Sequence, residues 1–135
     1  LVPGVLLRNR YLEFICKNVF IKPANKKNLY FKNIDKDILE FHIAHNEGNY
    51  FCTNDQLKEI EDNNQIAIYY CDNKGLTEEQ FNPNGSIKNI AGVFNKEKNV
   101  LGMMPHPERM IDQSLSGEDG SLFFKNLINN IKNAS

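Results

Sequence analysis

The segment GMMPHPERM, Gly102 to Met110, sets an imidazole and a carboxylate at a short, stiffened spacing. His106 stands between Pro105 and Pro107, and Glu108 follows two residues later. Each proline removes a backbone donor and holds φ at about −65°, so His106 cannot lie inside a helix. In an extended segment, side chains two apart point the same way. The spacing therefore predicts that both groups face one cavity, with the carboxylate orienting the ring and stabilising its cation. That is the base-and-orienter part of a nucleophilic site. Taken alone, the same residues also describe a surface histidine in a proline-rich strand exit.

A nucleophile is harder to find. Cys16, Cys52 and Cys71 are widely spaced, odd in number and without a CxxC pair. They read as reduced thiols of a cytoplasmic protein, and they argue against a zinc site or a disulfide frame. Each reads as a small buried or half-buried thiol. Cys52, soon after the His-Asn-Glu-Gly stretch, is the one closest to other polar chemistry. Gly117–Gly120 (GEDG) lacks the ligand count of a calcium loop and reads better as an acidic helix start. Arg109 can pair with Glu108 or with the domain surface.

These groups need a scaffold. Phe14 to Phe31 carries aromatic and β-branched residues on both sides of Pro-Ala-Asn-Lys-Lys, which predicts two strands and a loop. Leu39, Phe41 and Ile43 alternate, predicting a strand that breaks at His45–Gly48. Thr53 and Gln56 form a capping-box pattern ahead of Leu57 and Ile60, predicting a helix over about 54–62. Gln65 to Cys71 is a strand by its β-forming content. Asn82 to Ser86 (NPNGS) is a turn, with Pro83 presetting φ and Gly85 supplying a conformation others resist. Ile90–Phe94 and Val100–Met104 form a hairpin. Leu122, Phe123, Leu127, Ile128 and Ile131 sit at helical spacing, with Asp119 as the cap.

The chain has 135 residues, 41% hydrophobic, with a net charge of −1. That is enough for one core, and it gives no electrostatic case for a nucleic-acid or membrane-surface partner. No apolar run approaches the roughly 20 residues that cross a bilayer, and the start lacks the features of a signal peptide.

The stretch GVFNKEKNVLGMMPHPER resembles the signature that closes the active site of class I glutamine amidotransferases. Four further stretches, LVPGVLLRNRYLEFIC, IAHNEGNY, NPNGSIKNIAGV and GEDG, occur in that family's order and spacing. The likeness spans Leu1 to about Phe124. Within the family it is to the glutaminase subunits of phosphoribosylformylglycinamidine synthases, in purine biosynthesis. The resemblance implies an α/β fold: the C-terminal half of a flavodoxin-like amidotransferase domain, strand-rich, with a mixed sheet and two helices. Residues 1–135 would be one partial domain.

It also implies a chemistry. A cysteine thiolate attacks the carboxamide of L-glutamine, releasing ammonia and leaving a thioester that water hydrolyses. His106 takes the thiol proton and returns it to the leaving ammonia, and Glu108 holds His106. His45, Asn46 and Gly48 would line the glutamine pocket, largely through their backbone. Asn46 stands where the family has glycine, and asparagine tolerates a left-handed conformation better than most residues. Ammonia would pass to a synthetase subunit using ATP and Mg, with a third small subunit in the complex. No metal or cofactor site is implied in this chain.

One element of the pattern is missing. The family's nucleophile sits in a Gly-x-Cys-x-Gly elbow, and none of the three cysteines has those glycines. The expectation is that Leu1 lies just past the elbow helix and that the elbow belongs to a preceding segment. The polypeptide alone would then hydrolyse no glutamine, and it would carry an unpaired sheet edge and a half-exposed core. The alternatives are an amidotransferase domain of GMP or CTP synthesis, or a non-catalytic chain that only binds the synthetase.

Overall fold

A computed structural model describes residues 2–114 and 116–134; Leu1, on which the reading of the chain's start falls, lies outside them, as do Leu115 and Ser135. Strand β1 is Val5–Leu7, β2 Ile15–Pro23, β3 Leu39–His45, β4 Asn49–Phe51, β5 Ile66–Cys71, β6 Ile90–Phe94 and β7 Leu101–Met103. Helix α1 is Asn54–Asp62 and α2 is Asp119–Ala134. Five strands form a sheet in the order β3-β2-β5-β6-β7, while β1 and β4 pair separately. Beyond β7 the chain returns to the opposite edge, where His106 makes an antiparallel bridge to His42 on β3. The sheet is thereby curled on itself.

The class is α/β and strand-rich with two helices, as the sequence implies, but every described pairing is antiparallel where a mixed sheet was expected. Alternation explains the edge pair β2/β3. Leu39, Phe41, Ile43 and His45 are buried, while Glu40, His42 and Ala44 face outward. They meet Val19 and Ile21 in a core closed by Phe31, Ile68, Tyr70, Phe94 and Phe123. Strands β5 and β6 are covered on both faces, because Leu57 and Ile60 of α1 join Ile66, Ile90 and Val93 in a second cluster. The α1 capping box forms as its sequence predicts, with Thr53 N–H donating to Gln56 Oε1 at 3.0 Å and Gln56 N–H to Thr53 Oγ1 at 3.3 Å.

Three expectations change. The second strand expected before Phe31 is instead a turn organised by Asn28, whose Oδ1 accepts from the Tyr30 and Phe31 N–H groups at 3.0 Å each. A side-chain acceptor that satisfies two consecutive amides favours a turn over a strand. Asp119 does not cap its own helix: its carboxylate accepts from Lys36 Nζ at 2.6 Å and from Glu40 N–H at 2.8 Å. The buried face of α2 is also rotated from the predicted stripe. Phe123 is buried against Phe31 and Phe41, whereas Ile128 and Ile131 are half exposed. Asn126 and Asn130 are buried instead, donating to the backbone carbonyls of Tyr30, Leu29 and Lys32.

Strand β1 turns all three of its side chains outward. Beside it an apolar hollow of about 290 Å³ lies between Val2–Leu6, Tyr50 and the strands β6 and β7. Among the described residues no helix is long and apolar enough to cross a membrane.

Candidate active site

The Pro-His-Pro-Glu segment is held on two sides. His106 N–H donates to the His42 carbonyl at 2.6 Å, tying it to β3. Pro107–Arg109 then form a single 3₁₀ turn, and the Met110 carbonyl accepts from Gly120 N–H at 2.8 Å, tying the turn to α2. The proline at the turn's first position costs nothing there, because its missing donor would have had no partner.

Glu108 Oε1 lies 2.7 Å from His106 Nδ1. The pair exists, but not through the extended geometry that the spacing suggested: the turn folds Glu108 back onto the ring. With Nδ1–H donating to the carboxylate, Nε2 is the nitrogen free to take a proton, and the side chain of His106 is 33% exposed. Partial burial pushes the Glu108 carboxyl up, but its backbone hydrogen bond, its bond with His106 and the charges of His106 and Arg109 outweigh this and hold it below the usual range. The apolar hollow beside β1 is lined by neither His106 nor Glu108. Among the described residues no group of three potential metal ligands comes together.

The loop His45–Gly48 is built from beneath by Asn9, which lies in the LVPGVLLRNRYLEFIC stretch but to which the sequence alone assigns no role. Asn9 is fully buried. Its amide donates to the His45 carbonyl at 2.8 Å and the Glu13 carbonyl at 2.9 Å, and its Oδ1 accepts from Gly48 N–H at 2.9 Å. Its own N–H reaches the Asn46 carbonyl at 2.9 Å. A second support comes from the NPNGS turn. Ser86 Oγ donates to Asn84 Oδ1 at 2.7 Å, accepts from Tyr50 N–H at 3.0 Å and lies 3.1 Å from the Gly48 carbonyl. Gly85 has φ +88°, as its position in the turn requires. Asn46 is not among the residues with positive φ, so the loop needs no left-handed residue there and the exchange of glycine for asparagine strains nothing. Replacing Asn9 by alanine leaves Gly48 N–H and the His45 carbonyl without these partners in a buried place. It should cost about 2 kcal/mol, read as a fall in the urea midpoint of unfolding of this chain.

His45 is buried against Gly48, where any Cβ would strike its ring. Both ring nitrogens lack a hydrogen-bond partner. Burial pushes the imidazole below the usual histidine range; the closeness of its own backbone, short of a hydrogen bond, opposes this, and the charge of nearby His106 adds to the lowering. The unfolded chain takes up a proton as pH falls through about 6.5, while folded His45 does not, so stability present above that pH is lost below it. The urea midpoint should therefore drop between about pH 7.5 and about pH 5.5, and His45→Gln should remove part of that slope.

The three cysteines are all free, and only Cys16 departs from the buried or half-buried placement expected of them. Cys52 and Cys71 are buried, and burial pushes both thiols up, Cys71 to about 11. Cys16 is exposed, with Sγ 3.4 Å from His42 Nε2.

Residues 3–118 match the family model described as a CobB/CobQ-like glutamine amidotransferase domain. The chain is 76% identical over 132 residues to the phosphoribosylformylglycinamidine synthase subunit PurQ of Pelagibacter ubique, covering 98% of this chain and 58% of that one. It is 43% identical over 129 residues to the protein of the same name from Aquifex aeolicus, covering 95% and 57%. It thus spans less than two thirds of the curated relatives it matches. Among solved structures, it superposes on a chain of PurLQS from Thermotoga maritima with TM-score 0.74 and 32% identity, covering 95% of this chain and 53% of that one. A TM-score of 0.55 at 14% identity to a GMP synthase-like protein from Thermoplasma acidophilum, over 97% of this chain and 50% of that one, shows a shared fold only. With the histidine–glutamate turn and the loop before β4 placed by the same framework, the chain belongs to the family of CobB/CobQ-like glutamine amidotransferase domains.

Proposed function

We propose that this chain is the His/Glu-bearing part of the glutaminase component of phosphoribosylformylglycinamidine synthase. It would act on L-glutamine with a cysteine supplied from outside these 135 residues. The observation that carries the reading is the 2.7 Å contact of His106 Nδ1 with Glu108. It fixes the tautomer, leaves Nε2 without a proton and stabilises the cation formed when a thiol proton arrives. The steps are proton transfer from the thiol to Nε2, attack of sulfur on the carboxamide, and return of the proton to the leaving ammonia. Water then hydrolyses the thioester.

The loop around Gly48 is the proposed glutamine-facing element. Asn9 and Ser86 fix the backbone of His45, Asn46 and Gly48 in one conformation. The two unpartnered nitrogens of His45 favour a polar ligand, since an unsatisfied buried polar group costs about 1–3 kcal/mol. Ammonia would go to the synthetase subunit, which uses ATP and Mg. That partnership, and a third small subunit, is supported by likeness to a protein whose structure carries the name PurLQS.

A chimera tests the proposal: this segment replaces the matching 132 residues of the Pelagibacter ubique relative, and glutamate release is measured with the synthetase present. Activity comparable to the parent supports it. A folded chimera that supports ammonia-dependent but not glutamine-dependent synthesis would sink it.

A further inference from the structure

The outer face of β2 and β3 carries a second nucleophile–base arrangement. Glu40 Oε1 accepts from Asn18 Nδ2 at 3.0 Å. That bond sets the amide's orientation and turns its Oδ1 towards His42 Nδ1, at 2.8 Å. An acceptor at Nδ1 requires the proton to be there, which leaves the Nε2 lone pair pointing at Cys16 Sγ, 3.4 Å away. The strand register brings the four together: Asn18 pairs with His42, Cys16 is paired one step from it with Ala44, and Glu40 pairs with Phe20. All four sit on the outward side of the pleat, and Cys16 is exposed.

We propose that Cys16 is a redox-modification site, activated by His42 and taking a small disulfide of the glutathione class. His42 Nε2 accepts the thiol proton, and the Cys16 thiolate attacks one sulfur of the disulfide. The bond between the two sulfurs of the reagent breaks, and its electron pair leaves on the second sulfur. That thiolate takes the proton from His42. Cys16 ends oxidised in a mixed disulfide, and one equivalent of small thiol is released. None of the described hollows is lined by Cys16.

The position gives the modification a consequence. His42 and His106 are opposite members of an antiparallel bridge. Their Cβ atoms project from the same face at roughly 5 Å, so an adduct on Cys16 is one strand away from the candidate general base, with His42 between them. Cys52 and Cys71 are buried and have no such base, so the reaction is selective.

The test treats the reduced chain with oxidised glutathione at neutral pH and follows the adduct by peptide mapping. Cys16 should react first, about tenfold or more faster than the same residue in the urea-unfolded chain, where no base is held near it. His42→Gln should bring the folded rate down to the unfolded one, and Asn18→Ala should slow it several-fold. The same measurement on Cys16 in the chimera covers the case in which the 135-residue chain does not hold its fold. A folded rate no greater than the unfolded one, an undiminished rate in His42→Gln, or Cys52 or Cys71 reacting first would each overturn the proposal. None of these outcomes bears on whether His106 serves a glutaminase.

Discussion

His106→Asn in the chimera is expected to cut glutamine-dependent synthesis by about 10³-fold, within the usual range for a lost general acid–base, and to leave ammonia-dependent synthesis unchanged. In energy this is about 4 kcal/mol of transition-state stabilisation. Asparagine can accept no proton at the position of Nε2, so the thiol is not activated and the leaving ammonia is not protonated. Glu108→Gln should act more weakly, by about 10²-fold, because the amide can still hold the ring without stabilising its cation. The measurement is steady-state synthesis with each nitrogen donor. Equal loss with both would mean that the turn serves the complex's architecture rather than the hydrolysis, and the catalytic assignment would fall.

Gly120→Ala should destabilise the chain by about 3 kcal/mol or more, among the larger effects of a single methyl group. A Cβ at Gly120 would lie 2.7 Å from the Pro107 carbonyl carbon and 2.8 Å from the Met110 oxygen, with the Pro107 oxygen closer still. These are backbone atoms of the turn that carries Glu108, so no side chain can swing aside. The start of α2 and the turn must separate, and the 2.8 Å bond from Gly120 N–H to Met110 goes with them. Urea unfolding should show the loss, and amide exchange should speed up over residues 106–110. Lys125→Ala, exposed on the same helix, should change stability by no more than about 0.5 kcal/mol. Equal effects of the two would remove the argument.

Local chemistry made much of this scaffold legible. Thr53 and Gln56 bond each other within one helical turn, and Leu39, Phe41 and Ile43 need only the period of a strand. Both patterns act over a few residues, and both elements lie where the sequence puts them. The His106–Glu108 pair was legible as a pair, but its geometry was not: spacing of two suggests a strand, and only Pro107 opening a turn, with Met110 fixed by α2, brings the carboxylate round. Asn28 was misread because aromatic neighbours mask a turn former. Asn9, Ser86 and His42 were invisible for another reason. Each has at least one partner 24 or more positions away, and no periodicity in one segment encodes the register against another. Cys16 fell in the same gap, since its exposure and its base are properties of a strand pair.

The two buried asparagines of α2 bear on how that helix is seated. A smooth apolar stripe can slide along a hydrophobic surface by a turn at little cost, since one leucine replaces another. Amides aimed at three particular carbonyls of the 28–33 turn cannot: shifting the helix by one turn brings one asparagine to the other's site but leaves the remaining site facing Leu122 or Ala134, with its carbonyls unmatched. The helix therefore has a single axial setting, like a key with two teeth. Because its first turn abuts Pro107 and Met110, that setting also dictates how far the Glu108 turn can travel, so the placement of the histidine depends on polar contacts at the far end of the rod.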